Sequence, residues 1–414
     1  MPNPKTPRWS ELPPELLQEI ADKHTNYVDY VRSRSVCKSW ESAVPKRPNK
    51  LLNNLPILLL PYHQKTTCHR GFYNIPDKKT YSLPLPEAIG RHCCGSSNGW
   101  LVMVDQSPRI FLLNPLTRKT IDLPCLTTLP TFPTQVIFRN SMSLNETFIE
   151  REKFQVRDTF IIKAIVTGDP SSSHDDFAVV VIYGSNENLA MCRPGDPSWT
   201  VVDQESRYKD VIFRGGKLLA VDQLGKVFSY DVVAGDDIRC VVNVPPVTSR
   251  AGNMQWYLSS LGHDDKEDLV LVARYRKVIP EFEYKTQRFE VYKLDQNTNN
   301  NSWSKMDSLG DSVLFVGSSG SHSISAGDYS GENSIRGNCV YFTDDYMRIF
   351  KDYVWEGHDF GVFDFSDRSV KCMEFTPFPV DRPSGPNMFF YDHSIYRDTS
   401  LFVLPPPIWV TLSP

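Results

Sequence analysis

The amino-acid sequence predicts a mainly β protein: a small N-terminal unit of three short helices, then a six-bladed β-propeller. Three observations predict this. Apolar residues in the first fifty positions recur at helical spacing. From about residue 54 the texture changes to short runs rich in Val, Ile, Leu, Phe and Tyr, broken by Gly, Asn, Asp and Pro clusters. Across that region one strand–turn–strand submotif recurs at irregular spacing.

The helical elements come first. Ser10 is placed to cap a helix opened by Pro13 and Pro14, since proline is tolerated in a first turn. Within PPELLQEIADK, Leu16, Leu17 and Ile20 share one face. A second short helix is expected around Tyr27 to Arg32. The third is SVCKSWESAV, with Val36, Trp40, Ala43 and Val44 on one side, ending before Pro45 and Pro48. Three helices this short bury little apolar surface, and such a unit rarely stands without metal, disulfide or partner. No metal-ligand spacing occurs here: Cys37 stands alone and His24 has no companion. Two readings follow: the helices complete their apolar surface against another protein, or they dock on the chain's own β domain.

The β elements follow in order. The submotif appears as FYNIPDKKTYSLPLP, IFLLNPLTRKTIDLP, NLAMCRPGDPSWTVVD, VFSYDVVAGDDIRCVVNVP, FEVYKLDQNTNNNSWSKM and FGVFDFSDRSVKCMEFTP. Inner strands such as GWLVMVD, FAVVVIYG, KLLAVD, DLVLVARY and NCVYFTDD precede most of them. Units near 54–86, 93–124, 159–203, 208–245, 256–307 and 313–377 suggest blades, with 125–158 as an insertion. The C-terminal SLFVLPPPIWVTL supplies a strand to complete the first blade and close the ring. A β-sandwich with extra domains is the alternative, disfavoured because the submotif spans the whole region.

Composition restricts the function. Of 414 residues 40% are hydrophobic and 23% charged, which fits a folded chain, and the net charge of −4 gives no global surface for nucleic acid or anionic membrane. The N-terminal stretch lacks the apolar segment of a signal peptide, and runs such as LPILLLP are too short to span a bilayer. A nuclear or cytoplasmic location is therefore expected. Nine cysteines, an odd number, then imply reduced thiols, and the sequons at Asn145 and Asn300 are chance matches.

LPPELLQEI followed by DYVRSRSVCKSWESAV resembles an F-box, whose pattern is L-P-x-E-L-L-x-x-I, a variable middle, and R-x-R-x-V-C-K-x-W. The match covers residues 8–48, with His24 and Asn26 where family members often carry leucines. The resemblance implies a unit that binds a Skp-type adaptor and through it a cullin scaffold in a ubiquitin ligase. Carried over by residue, it implies adaptor contacts from Leu12, Pro13, Leu16, Leu17 and Ile20 in the first motif, and from Val36, Cys37 and Trp40 in the second. Some of these side chains also hold the helices together. Behind it lies the β domain, residues 54–414, and most of residues 55–380, with motifs such as CCGSSNGWLVMVD and GNCVYFTDD, resembles the domain of unknown function 295 of plant F-box proteins. That domain is a kelch-like propeller regarded as a substrate-recruiting module.

Signals for catalysis are weak. GSSNG, Gly95 to Gly99, fits G-x-S-x-G, but a nucleophile elbow needs a helix after the serine and here a β-like run follows. Ser97 reads as a turn residue, and its flanking glycines as sites of positive φ. Adjacent Cys93 and Cys94, like Cys68 beside His69, lack ligand spacing. The pairs Asp175–Asp176, Asp236–Asp237, Asp264–Asp265 and Asp344–Asp345 read as solvated turns. GSSGSHS, residues 317–323, reads as a flexible loop. RYRKVIPEFEYKTQR, residues 274–288, reads as a solvated hairpin loop, or else as a recognition loop for an acidic or phosphorylated partner. The expectation is thus a non-catalytic substrate receptor of a Skp–cullin–F-box ubiquitin ligase, needing no cofactor or metal. Its rivals are a non-ligase interaction adaptor and a propeller hydrolase or lectin-like binder.

Overall fold

The computed structural model describes residues 9–24, 27–34, 36–45, 55–60, 68–76, 78–133, 156–172, 177–231, 238–242, 254–262, 268–278, 284–295, 302–329, 335–345, 348–350, 353–355, 359–373 and 407–412 of the 414-residue chain. The N-terminal unit contains α1 (Pro14–Ala21), α2 (Tyr27–Arg34) and α3 (Lys38–Ala43). Pro14 opens α1, where a missing N–H costs nothing. Pro13 holds the cap position without any side-chain bond, so Ser10 does not cap. Ser10 instead lends its carbonyl to the Ser39 hydroxyl at 3.0 Å, which ties the N-terminal turn to α3. Leu17 and Ala21, four residues apart, turn inward onto Tyr30, Trp40 and Val44. Among the described residues this small core contains only helical-unit side chains.

The β domain is a succession of mostly antiparallel meanders. The first sheet holds β1 (Ile57–Leu59), β2 (His69–Asn74) and β3 (Lys79–Pro84). An eight-stranded sheet carries β4 (His92–Ser97), β5 (Trp100–Val104), β6 (Ile110–Leu113) and β7 (Thr120–Asp122) in one half. Its other half is β8 (Ile161–Val166), β9 (Val179–Tyr183), β10 (Asn188–Cys192) and β11 (Thr200–Asp203). Next come β12 (Tyr208–Arg214), β13 (Lys217–Asp222), β14 (Val227–Asp231) and β15 (Ile238–Val242), then β16 (Met254–Leu261), β17 (Asp268–Val278), β18 (Tyr284–Asp295) and β19 (Ser302–Met306). A five-stranded sheet follows with β20 (Ser312–Val316), β21 (His322–Ser325), β22 (Cys339–Phe342), β25 (Gly361–Asp364) and β26 (Ser369–Cys372). Between β22 and β25 in the chain comes a separate ribbon, β23 (Arg348–Phe350) and β24 (Tyr353–Trp355). Among the described strands, parallel pairing occurs only of β20 with β22 and of β4 with β8. The C-terminal β27 (Ile408–Val410) returns to pair with β1, Leu58 opposite Trp409.

The strands read as continuous apolar runs because each sheet is covered on both faces. Along β5, Trp100, Val102 and Val104 enter one apolar core while Leu101 and Met103 enter another. Along β9, Val179, Val181 and Tyr183 pack to one side and Val180 and Ile182 to the other. One such core lies between each pair of successive meanders, and one joins the last sheet to the first. There Trp409 packs edge-on to Phe315 and its indole N–H donates to the Val316 carbonyl at 3.1 Å. The closing contact makes the domain a ring of sheets, a β-propeller.

Local chemistry sets the turns. Asn98 (φ 51°) and Gly99 (φ 80°) make the two-residue turn between β4 and β5. Ser97 ends β4 and its hydroxyl accepts the Val166 N–H at 3.1 Å, with no helix behind it. Gly95 is required for a different reason than a positive φ. A Cβ there would sit 2.0 Å from the Ala164 carbonyl oxygen, where β4 meets β8. Cys93 and Cys94 are buried in β4, and burial pushes the Cys93 thiol up to about 12.

Candidate functional site

The residues expected to meet an adaptor divide into two groups. Leu17 and Trp40 are buried in the helical core, and the Trp40 indole N–H donates to the Trp9 carbonyl at 3.2 Å. Leu12, Ile20 and Cys37 are half-buried at its margin. Pro13 and Leu16 face solvent, Leu16 at 45% exposure. Val36 is 59% exposed and lies before α3, not on its apolar stripe, because Cys37 is extended and helical geometry begins at Lys38. Cys37 accepts or donates a bond with the Ser39 hydroxyl, which lowers its thiol below the ordinary range. Of the six large apolar side chains exposed among the described residues, three belong to this unit: Trp9, Leu16 and Val36. Half of the exposed large apolar side chains among the described residues thus sit on the smaller domain. His24 is half-buried at the end of α1, and Asn26 lies outside the described residues.

The propeller carries a second constellation, which sequence reasoning missed. Lys163 of β8 pairs with Asp210 of β12 at 2.5 Å, both side chains buried. Lys163 also donates to the Gly317 carbonyl at 3.2 Å, and Asp210 accepts from the Leu258 N–H at 2.9 Å and the Ser321 hydroxyl at 3.0 Å. The glycine-rich 317–323 stretch is therefore no flexible loop. Its Gly317 is buried so closely that a Cβ would meet the Thr343 hydroxyl at 2.0 Å, and Gly320 lies against the Ser96 carbonyl.

Adjoining this, Arg274 of β17 is fully buried. Its guanidinium donates to Thr286 (2.7 Å), Tyr257 (3.1 Å), the Thr343 carbonyl (2.7 Å), Asp345 (3.2 Å) and both the carbonyl (2.9 Å) and carboxylate (3.0 Å) of Asp359. Arg276 pairs with Asp345, and the Tyr284 hydroxyl donates to Asp344 at 2.6 Å. Burial raises the Asp345 carboxyl, but the charges of Arg276 and Arg274 outweigh it and hold the group below its usual range. Asp344 and Asp345 are thus not solvated turn residues, and Arg274 and Arg276 are not loop residues with packed stems. They form a buried clamp joining the β17–β18 hairpin to the segment after β22. The carboxylates converge, yet each accepts bonds from arginine or tyrosine donors. The pairs 175–176, 236–237 and 264–265 lie outside the described residues, as do Asn145 and Asn300. Among the described residues no group of three or more His, Cys, Asp or Glu is arranged to hold a metal ion.

The comparisons with known proteins bear on both regions. Residues 9–52 match the model of the F-box domain. Residues 72–364 match that of the KIB1-4 beta-propeller. F-box protein SKIP23 of Arabidopsis thaliana is 26% identical over 89% of this chain and 92% of its own length. F-box protein At2g26160 of the same plant is 24% identical over 82% of this chain and 96% of its own. Among solved structures, the beta-propeller domain of Myceliophteria thermophila Cps50 (Swd1) aligns at 10% identity over 78% of this chain and 87% of that one, with a TM-score of 0.31. That likeness is too loose to bear on function.

Proposed function

The chain belongs to the KIB1-4 beta-propeller family, with an F-box domain ahead of the propeller, and on that premise we propose that it is the substrate-recognition subunit of a Skp–cullin–F-box ubiquitin ligase. The F-box holds the Skp-type adaptor and through it the cullin. The propeller holds a target protein, since loops on a rigid scaffold carry recognition. Ubiquitin transfer takes place on other subunits, and this chain acts by raising the effective concentration of its target beside them. No residue of this chain is assigned a catalytic role.

The observation that carries this reading is the exposure of Leu16 and Val36, apolar side chains left out of the helical unit's own core. Leu16, Val36 and Pro13 are its adaptor contacts, with Leu12, Ile20 and Cys37 at the edge. Leu17 and Trp40 support them from beneath. Residues 8–48 form the adaptor-binding domain and 54–414 the target-binding domain. Taking the eight-stranded sheet as two blades joined through β4 and β8, the propeller has six blades, in keeping with a kelch-like domain of the unknown-function 295 type. The nucleus or cytoplasm is the compartment this role requires.

Co-purification of the full chain with a Skp-type adaptor tests the reading. The wild-type chain should retain adaptor and cullin, and Leu16→Asp with Val36→Asp should release both. Retention of the adaptor without cullin would favour an interaction adaptor outside a ligase. No retention by the wild type would overturn the F-box assignment of function.

A further inference from the structure

We propose that the exposed face of the β17–β18 hairpin is where the target docks, and that it takes an anionic polypeptide segment, acidic or phosphorylated. This deepens the receptor reading above and rests on it. Lys277 and Lys285 stand directly opposite each other in the hairpin. Both are exposed, and neither has an ion pair among the described residues. Like charges directly opposite destabilise a strand pair slightly, a cost that an anion held between them removes.

The neighbouring pair on the same face continues the charge. Arg288 lies opposite Tyr275, its guanidinium 3.8 Å from the ring centre, and is 48% exposed. The carboxylate nearby, Glu290, is 3.7 Å from Arg288 and already engaged by Lys305 (2.8 Å), Tyr275 (2.7 Å) and Tyr292 (2.9 Å). Among the described residues, Arg288 and Lys305 thus share the single carboxylate of Glu290, while Lys277 and Lys285 lie further along the same hairpin, in a chain whose net charge is −4. The overall negative charge disfavours long polyanions such as nucleic acid, whereas a short anionic segment meets only the local field.

The opposite face of the same hairpin explains why the patch is rigid. Arg274, Arg276, Tyr284 and Thr286 alternate with the exposed residues and point into the buried clamp of Asp344, Asp345 and Asp359. A β-bulge between Tyr275 and Arg276 lets Gln287 drop out of register without breaking that alternation. The lysines are therefore held by a fixed ladder, which lowers the cost of ordering them on binding.

The test uses the full chain and fluorescence anisotropy with three fluorescein-labelled peptides. One is rich in glutamate, one carries phosphoserines at equal net charge, and one is an unmodified serine control. Binding of either anionic peptide, weakening with added salt, supports the proposal, and which of them binds identifies the source of the charge. Lys277→Glu with Lys285→Glu should weaken it by about tenfold or more. Lys119→Glu with Lys217→Glu, exposed lysines on other sheets, should leave it unchanged. Failure of both anionic peptides, equal loss in the control variant, or capture of anionic lipid vesicles in place of peptide would overturn it. Adaptor retention by the same variants is read separately. Its loss in the wild type would count against the receptor reading and not against the anionic site.

Discussion

Leu16 and Leu17 are adjacent on α1, yet one is 45% exposed and the other 1%. The difference separates two kinds of variant. Trp40→Ala or Leu17→Ala removes buried apolar volume and should cost about 3–5 kcal/mol for tryptophan and about 2–5 for leucine. For so small a core that is enough to unfold the helices, visible as lost helical circular dichroism. Leu16→Asp should keep the helical signal and still weaken adaptor binding by about tenfold or more, the effect of losing one central apolar contact. Glu290 offers a pH-dependent case. Burial raises its carboxyl, but bonds from Lys305, Tyr275 and Tyr292 win and hold it at about 2 against an ordinary 4.5. A depressed folded-state value contributes stability above the unfolded value and loses it as pH falls through the folded one. Glu290→Gln should therefore lower the melting temperature at neutral pH, with the gap to wild type closing between about pH 4.5 and 2.

At the scale of elements, β27 decides whether the ring closes. It gives β1 a second neighbour, and Trp409 fills the space between first and last sheets. Trp409→Ala should cost about 3–5 kcal/mol. Deleting β27 should also leave β1 as an open edge prone to pairing with other chains. Urea unfolding and light scattering report the two effects. The β17–β18 hairpin depends in turn on its buried charges. Asp359→Ala removes a carboxylate from Arg274 and leaves a buried cation under-satisfied, a loss of about 3–5 kcal/mol. The damage should concentrate in amide exchange of β17 and β18.

For the whole molecule, the apolar cores fall into two sets that share no residue: one within the helices, and one running from sheet to sheet around the propeller. The propeller cores are linked, so they should melt together, while the helical unit is thin and unfolds at lower cost. A partner that binds only the folded helices stabilises them by mass action, about 2.7 kcal/mol at one hundred times Kd. Hydrogen exchange with and without a Skp-type adaptor should show that gain in α1 to α3 and leave the sheets unchanged.

Local pattern carried much of this into the sequence. The apolar runs of β5 and β9, the Asn98–Gly99 turn and the proline at the start of α1 depend on residues within a few positions of one another, and so were legible. The two F-box motifs were legible for the same reason. What tertiary structure alone decided was which face each side chain met. Leu16 remains outside because α1 packs through Leu17 and Ala21, a rotation that residue type does not specify, and Val36 because helical geometry begins only at Lys38. Asp345 looks like a turn residue until Arg274, 71 positions earlier, reaches it, and Asp359, 85 positions after Arg274, carries no local signal at all. Burying the Arg274 charge requires carboxylates to meet it, and these arrive only when the sheet of β17 and β18 packs against the next sheet of the ring.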